Sequence, residues 1–315
     1  MRALVTGGAG FIGSNLVDRL MAEGAQVDVI DNLTTGSLAN LSLARSEASG
    51  RFHFHNVDIR DEGSVAVIER LKPDVIFHLA AQADVRVSVK DPVFDASVNI
   101  IGTLNILEGA RKVQVKKVVF AASGGTLYGD PPADHLPLNE SEPQVPLCPY
   151  GVSKKSAIDY LHMYRELYGI EFSALALSNV YGPRQNPHGE AGVVAIFAAN
   201  VLNGLESTVF GDGDQTRDFV FVDDVVDAFF RASKRGGGVV INIGTGKETS
   251  VTELLETISD AAGKSPSFKL APERPGELKR NSLDPTRAEM LLGWKPWTPL
   301  GEGIGATLKS MAGKK

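Results

Sequence analysis

Apolar and polar positions along the first half of the chain alternate between two rhythms. Short runs rich in β-branched residues recur as RALVT near 2–6, QVDVI at 26–30, FHFHN near 52–56, DVIFHLA at 74–80, KKVVFAA at 116–122 and EFSALALS at 171–178. Most are nearly continuous in apolar character, as strands covered on both faces are. Between them lie stretches with helical spacing, such as FIGSNLVDRLMAEG, closing on Gly24 where a helix C-cap is expected. Strands alternating with helices predict an α/β fold, a Rossmann-type doubly wound parallel sheet.

Beyond about residue 178 the pattern loosens. Loops rich in Gly, Pro and Asp (YGPRQNPHGEAG, FGDGDQTRD, LAPERPGELKR) separate the helices and two further strand-like runs. The expected division is a dinucleotide-binding domain over 1–178 and a smaller mixed α/β lobe over 179–315, with VVINIGTG (239–246) returning to the main sheet. DFVFVDDVVDAFF reads as a strand entering a helix, with Asp223 and Asp224 at the positive end of its dipole. Helices expected over 97–113 and 151–167 carry apolar faces (Ile100, Leu104, Leu107; Ile158, Leu161, Tyr164). Such a face either covers the core or meets a second copy of the chain.

Composition narrows the function classes. The chain of 315 residues is 43% hydrophobic and 22% charged, as ordinary globular proteins are. A formal charge of −6 argues against nucleic acid or an acidic membrane as the main partner, since both reward a basic surface. No uninterrupted apolar run is long enough to span a bilayer, and none near the start reads as a signal peptide. The single Cys148 excludes an internal disulfide and suits a reducing cytoplasm. His53 and His55 alternate on an expected strand without a third ligand nearby, so no metal site is expected.

Two constellations carry chemistry. In LVTGGAGFIGS, Gly7, Gly10 and Gly13, with Phe11 and Ile12 between them, join the first strand to the first helix. Glycines there allow a tight turn and close approach to a pyrophosphate, which the helix N-terminus favours. Asp31 ends the second strand, where a carboxylate accepts from ribose hydroxyls and repels a 2′-phosphate. Its neighbours Asn32 and Leu33 supply no cation, which favours NAD over NADP. Asp58 and Ile59, after the third strand, can flank an adenine. Leu79, Ala80, Ala81 and Gln82 close the fourth strand with mostly small residues, letting a dinucleotide pass near the backbone.

The second constellation is CPYGVSKKS, where Tyr150 and Lys154 stack on one helix face. A phenol with a pKa near 10 is a poor base at neutral pH, and a neighbouring ammonium lowers that pKa. Pro149 suits the first helical position. Alone, the pair reads as surface, since this spacing arises often by chance. Upstream, VVFAASGGTLYG brings Ser123 to the carboxyl end of the fifth strand, facing the same crevice, with Thr126 as a second hydroxyl.

In order along the chain, TGGAGFIG, Asp31, DIRD, HLAAQ, SGGTLYG, PYGVSK and NVYGPRQ resemble the extended short-chain dehydrogenases/reductases, the NAD-dependent epimerase/dehydratase family acting on nucleotide sugars. Within it the likeness is greatest to bacterial UDP-glucose (UDP-galactose) 4-epimerases. The resemblance implies NAD as cofactor, a UDP-sugar as substrate and a homodimer. It implies Tyr150 as the base and then the acid, Lys154 tuning it and holding the nicotinamide ribose, and Ser123 assisting at the sugar hydroxyl. Asn99 joins the implied cofactor contacts. Asn179, Arg217, Arg274 and Glu277 match nucleotide and diphosphate contacts, and Phe219 stands where relatives often have tyrosine. Asn281 falls near a position that is tyrosine in strict hexose enzymes, leaving room for a 2-acetamido group. Arg86 is a weaker substrate candidate, in a loop lacking the lysine of some relatives.

The chain departs from its relatives in the turn after the fifth strand. From Phe120 to Tyr128 it runs one residue longer than in the best-known enterobacterial form. Counting from the strand selects Ser123, and counting back from Tyr128 selects Gly124. Dehydratases of the family need an acidic pair in this turn, and decarboxylases a glutamate; here stand Gly124 and Gly125. That favours 4-epimerisation, leaving UDP-glucuronate as an alternative substrate and a silent NAD sensor as a reading from another class.

Overall fold

Main-chain pairing, more than the loops, explains where the apolar runs go. In the computed structural model, residues 1–46, 50–187, 192–273 and 278–313 are described. The first half contributes Arg2–Thr6 (β1), Gln26–Asp31 (β2), Phe52–Asn56 (β3), Val75–His78 (β4), Lys117–Ser123 (β5) and Glu171–Leu177 (β6). The second contributes Asn179–Tyr181 (β7), Ser207–Phe210 (β8), Thr216–Arg217 (β9), Phe219–Phe221 (β10), Val239–Ile243 (β11), Thr249–Ser250 (β12) and Phe268–Ala271 (β13). The first six and β11 form a seven-stranded parallel sheet ordered β11-β6-β5-β4-β1-β2-β3. The remaining strands pair in twos, β10 with β7, β12 with β9 and β13 with β8.

Alternate residues of each strand face opposite layers, because strand side chains have a period of two. On β5, Val119 joins the core under the Phe11–Ala22 helix, with Leu16, Val17 and Leu20. Its neighbours Val118 and Phe120 join the other core, with Leu107, Ile158 and Leu161. The second half shares the first of these cores: Phe229, Trp294 and Ile304 are buried in one cluster with Val5 and Leu16. Among the apolar residues singled out on the two expected helices, Leu107, Ile158, Leu161 and Tyr164 are core residues. The exposed large apolar side chains there are others, Ile101 (51%), Val152 (49%) and Leu167 (65%), with Val93 (78%) on the preceding short helix.

Two elements differ from the pattern. The helix expected over 97–113 opens with a π-helical turn, Ser97–Ile101, before regular helix over Gly102–Val113. Asn99 and Thr103 are bound there, Thr103 Oγ1 donating to the Asn99 carbonyl at 2.7 Å. Such single wide turns recur at functional sites. The second difference is Asp224. It lies in the first turn of Val222–Ala232, as the pattern predicts, but is buried, where a bare dipole contact would not compensate the lost solvation. Its Oδ2 accepts from the N–H groups of Trp297 and Thr298 at 3.0 and 3.1 Å, and Oδ1 from Thr298 Oγ1 at 2.7 Å.

β1 lies between β2 and β4, so the chain reverses its direction across the sheet there. Ligand crevices of doubly wound sheets open at the carboxyl ends of such strands. Among the described residues, no helix is long and apolar enough to cross a membrane.

Asp224→Ala is expected to lower unfolding stability by about 2–4 kcal/mol, because it strands buried donors. Urea denaturation measures this; a change under about 0.5 kcal/mol, typical of surface sites, contradicts it.

Candidate active site

The crevice is a cavity of about 530 Å³ that begins at the end of β1. Gly7 takes φ +70°, and a Cβ there would lie 2.7 Å from Ala80 N, so the turn presses directly on the backbone after β4. At Gly13 a Cβ would come 2.2 Å from Gly7 O. Only glycine permits both approaches. The Phe11–Ala22 helix begins here without a side-chain cap and without an acid in its first turn, leaving its positive end to the cavity.

Asp31 forms the far side. Its Oδ2 accepts from Ala9 N at 2.9 Å and Oδ1 from Leu33 N at 2.8 Å. Burial pushes its carboxyl above the ordinary value, and those two N–H groups oppose the shift. Asp58 behaves oppositely. The Arg60 guanidinium forks onto it at 2.8 and 3.0 Å, and its carboxyl drops to about 2. Asn32 Nδ2 also donates to Asp58, at 2.8 Å.

The wall after β4 is fixed from behind by a chain of hydrogen bonds whose polarity can be worked out. Thr103 spends its proton on Asn99 O, so its oxygen, 2.9 Å from His78 Nε2, accepts. His78 Nδ1 then accepts from Thr6 Oγ1 at 2.6 Å, and Thr6 in turn accepts from Ala80 N at 3.2 Å. This fixes one neutral tautomer of His78. Burial first, and then the Lys154 charge, bring the imidazole down to about 3. His78 is therefore a structural link and no proton carrier.

The chemical end lies on Pro149–Tyr168, which starts with Pro149 at its first turn. Lys154 is buried (3% exposed) and donates to Ala121 O at 2.8 Å. Its Nζ lies 4.6 Å from the Phe120 ring centre and 5.7 Å from that of Tyr150, within cation–π reach. This helix and the turn after β5 are packed without slack: a Cβ on Gly151 would lie 2.7 Å from Thr126 O. Cys148, just before, is half-buried, and burial raises its thiol pKa.

The structure brings Gly7, Gly10, Phe11, Ile12, Gly13, Asp31, Asn32, Asp58, Ile59, Leu79, Ala80, Ala81, Gln82, Tyr150 and Lys154 onto this one cavity. Asn99, expected beside the cofactor, is buried and does not line this cavity. Its amide is committed to Gln82, Oδ1 accepting from Gln82 N at 2.9 Å and Nδ2 donating to Gln82 O at 2.8 Å. Ser123 begins the turn Gly124–Leu127, next to the cavity-lining Ala122. Thr126 Oγ1 on that turn is buried without a hydrogen-bond partner.

The described second-lobe candidates Asn179, Arg217 and Asn281 do not line this cavity. Arg217, half-buried on β9, donates to Thr216 O at 2.7 Å. Asn179 N donates to Asp218 O at 2.9 Å. Asp218 is fully buried and accepts from Thr245 N and Oγ1, Gly246 N and Leu283 N, fixing this region. Asn281 is 2% exposed, and its Oδ1 has no hydrogen-bond partner. Arg86 is forked on Asp84 at 2.6 and 3.0 Å. Phe219 is buried edge-on against Tyr181, 6.5 Å between ring centres. Arg274 and Glu277 lie outside the described residues. His53 and His55 both face Asp28, at 3.6 and 2.8 Å, as strand neighbours.

Sequence reading passed over Arg60 and Phe94, which line the same cavity, with the Arg60 Cζ 5.5 Å from the Phe94 ring centre. The arginine of DIRD was in plain view; the phenylalanine, on another element, gave no signal.

A family model described as GDP-mannose 4,6 dehydratase matches residues 4–307. The chain belongs to the NAD-dependent epimerase/dehydratase family. A relative from Mycolicibacterium smegmatis named UDP-glucose 4-epimerase is 51% identical over all of this chain and 99% of its own length. A UDP-glucose 4-epimerase from Thermotoga maritima, solved with UDP-glucose, is 42% identical with a TM-score of 0.94, covering 100% of this chain and 99% of its own. That of Thermus thermophilus, solved with NAD, is 43% identical with a TM-score of 0.92, and each chain is covered completely.

The residues present fit the family's dinucleotide. The glycine turn has no room for side chains where a pyrophosphate passes, and Asp31 retains acceptor capacity for ribose hydroxyls. NAD affinity is expected to fall on acidification as Asp31 is protonated, starting above the ordinary carboxylate range, whereas Asp58 stays ionised. Without NAD the sign reverses. A raised folded pKa gives stability that is complete below the unfolded value and is lost as pH rises through the folded one. Calorimetric NAD titration between about pH 7 and 4.5 checks this, with Asp31→Ala expected to weaken binding about 10–100-fold by losing charge-assisted bonds. A pH-independent wild-type affinity contradicts it.

Proposed function

We propose that the protein is an NAD-dependent 4-epimerase of UDP-hexoses, interconverting UDP-glucose and UDP-galactose. The observation that carries this is one wall shared by the glycine turn, Asp31, Tyr150 and Lys154. The relatives named for this activity support it. Residues 1–178 with the returning strand β11 serve the cofactor, and 179–315 the nucleotide sugar. A lone cysteine and an acidic surface suit the cytoplasm.

Bound NAD supplies the hydride acceptor and return donor that a route through a 4-keto sugar requires. Tyr150 takes the 4-hydroxyl proton and gives it back after the sugar has turned. The ammonium of Lys154, held on Ala121 O, stabilises the phenolate through its charge. Ser123 or Thr126, on the turn packed against Tyr150's helix, donates to the sugar oxygen. Thr126 has the unspent buried hydroxyl; Ser123 has the strand-end position.

The turn itself argues against added acid chemistry. A Cβ on Gly124 would lie 2.3 Å from Leu283 Cδ1, so an acidic side chain there requires the core to move. Gly125 faces open space, and its lack of an acid reflects sequence and not room. Asn281 provides the reading that UDP-GlcNAc and UDP-GalNAc are accepted too, since it is smaller than the tyrosine of strict hexose enzymes. Diphosphate recognition falls to Arg217, Arg274 and Asn179, with Glu277 at the uridine ribose.

Chromatography of UDP-glucose, UDP-GlcNAc and UDP-glucuronate incubated with the purified protein tests the assignment. Epimerisation of UDP-glucose and UDP-GlcNAc without added metal is expected. Tyr150→Phe should lower kcat about 10²–10⁴-fold, the usual worth of a general acid–base. UDP-glucuronate as the only substrate, or a Tyr150→Phe variant within tenfold of wild type, overturns it.

We further propose a homodimer through the exposed apolar residues Val93, Ile101 and Val152. Light scattering should give twice the chain mass, and Val93→Glu with Val152→Glu should give monomers. A wild-type monomer at micromolar concentration refutes the pairing.

A further inference from the structure

Asp95 is fully buried on the short helix Pro92–Ala96 and is not part of the cavity wall. Its Oδ1 accepts from Gln82 Nε2 and Asn99 Nδ2, each at 3.0 Å, and its Oδ2 accepts from Ser153 Oγ at 2.6 Å. The three donors come from three segments: the wall after β4, the π-helical turn, and the helix that carries Tyr150. Gln82 is itself clasped on both sides. Asp84 N donates to its Oε1 at 2.6 Å, and its Nε2 donates to Asp84 O at 3.1 Å.

A carboxylate suits this junction because it only accepts, and three donors converge there. An amide of the same shape would turn a donor toward one of them. Burying a carboxylate is unfavourable unless its hydrogen bonds are complete, and an apolar side chain would fill the space without that cost. Packing therefore gives no reason for an acid here. Alignment does. Ser153 immediately precedes the buried Lys154 and stands three residues after Tyr150, whereas Gln82 lines the cavity where the dinucleotide passes.

We propose that Asp95 is a positioning residue, holding the Tyr150–Lys154 turn in register with the cofactor wall at Gln82. The proposal rests on the reading of Tyr150 as the proton shuttle. Asp95 never touches the sugar; it acts through Ser153 and Gln82. Reacting groups displaced by about an ångström lose roughly a hundredfold in rate, so a junction of this kind acts on kcat.

The test uses the full chain reconstituted with NAD. Asp95→Ala removes both acceptor oxygens at once. It is expected to lower kcat for UDP-galactose about 10–100-fold, with KM and bound NAD within about twofold of wild type. Ser153→Ala should lower kcat less, about 3–10-fold, and the double variant should be no worse than Asp95→Ala alone, because Asp95→Ala already removes the bond to Ser153. Hydrogen exchange, which needs no turnover, gives the second readout. Peptides covering 149–156 and 80–84 should exchange about tenfold faster in Asp95→Ala, the consequence of one lost hydrogen bond at each. A folded, NAD-loaded Asp95→Ala with wild-type kcat or unchanged exchange overturns the proposal, as does a loss confined to NAD binding or KM. If Asp95→Ala does not fold, Ser153→Ala carries the same criteria at its smaller amplitude. Should the wild type turn over no UDP-hexose, the functional reading fails while exchange still decides whether Asp95 couples the two segments.

Discussion

A buried ammonium at the carboxyl end of β5 is the contact on which the rest of the site depends. Lys154 is 3% exposed, and a charge taken from water persists only where acceptors and polarizable faces replace the solvent. Here they are the Ala121 carbonyl and the faces of Phe120 and Tyr150. Pairing of β5 with β4 ends at Phe120, so from Ala121 onward the strand has only β6 beside it. The ammonium thereby ties the helix of Tyr150 to the strand edge beside the dinucleotide crevice. It also contributes, after burial, to keeping His78 neutral.

Around this contact the molecule divides its polar groups into two kinds. Asp31 retains acceptor capacity at the cavity and carries the strain of burial, seen in its raised carboxyl. Asp218 and Asp224 are buried with several donors each and organise the loops of the second half. Asp95 belongs with these by its bonding, and differs by joining segments on both sides of the reacting groups. Placing complete acceptors behind the wall and incomplete ones upon it leaves binding capacity where a ligand can use it.

Much of the site was legible because its signals are local. Gly7, Gly10 and Gly13 sit in one turn, Asp31 ends the next strand, and Tyr150 and Lys154 share one helix face, so spacing alone assembles each group. The alternating apolar runs likewise gave the sheet, including β11, whose return from residue 239 is again a continuous apolar stretch. What was not legible depends on contacts between distant segments. The pairing of the Asn99 amide with the Gln82 main chain is visible only in the fold. So is the edge-on contact of Tyr181 with the Phe219 ring. Asp224 read as a dipole partner, since the Trp297–Thr298 segment that it holds lies 73 residues or more away. The short paired strands of the second half carry too few residues for any period to register.

The central proposal is that one hydrogen leaves C4 of the sugar and returns to C4, while Tyr150 moves only the hydroxyl proton. UDP-galactose deuterated at C4, converted in ordinary water and read by mass spectrometry and NMR, tests this most directly. The account predicts UDP-glucose with its C4 deuterium intact and, in the converse experiment in heavy water, no deuterium bound to carbon. Loss of the C4 label to solvent during conversion would contradict it.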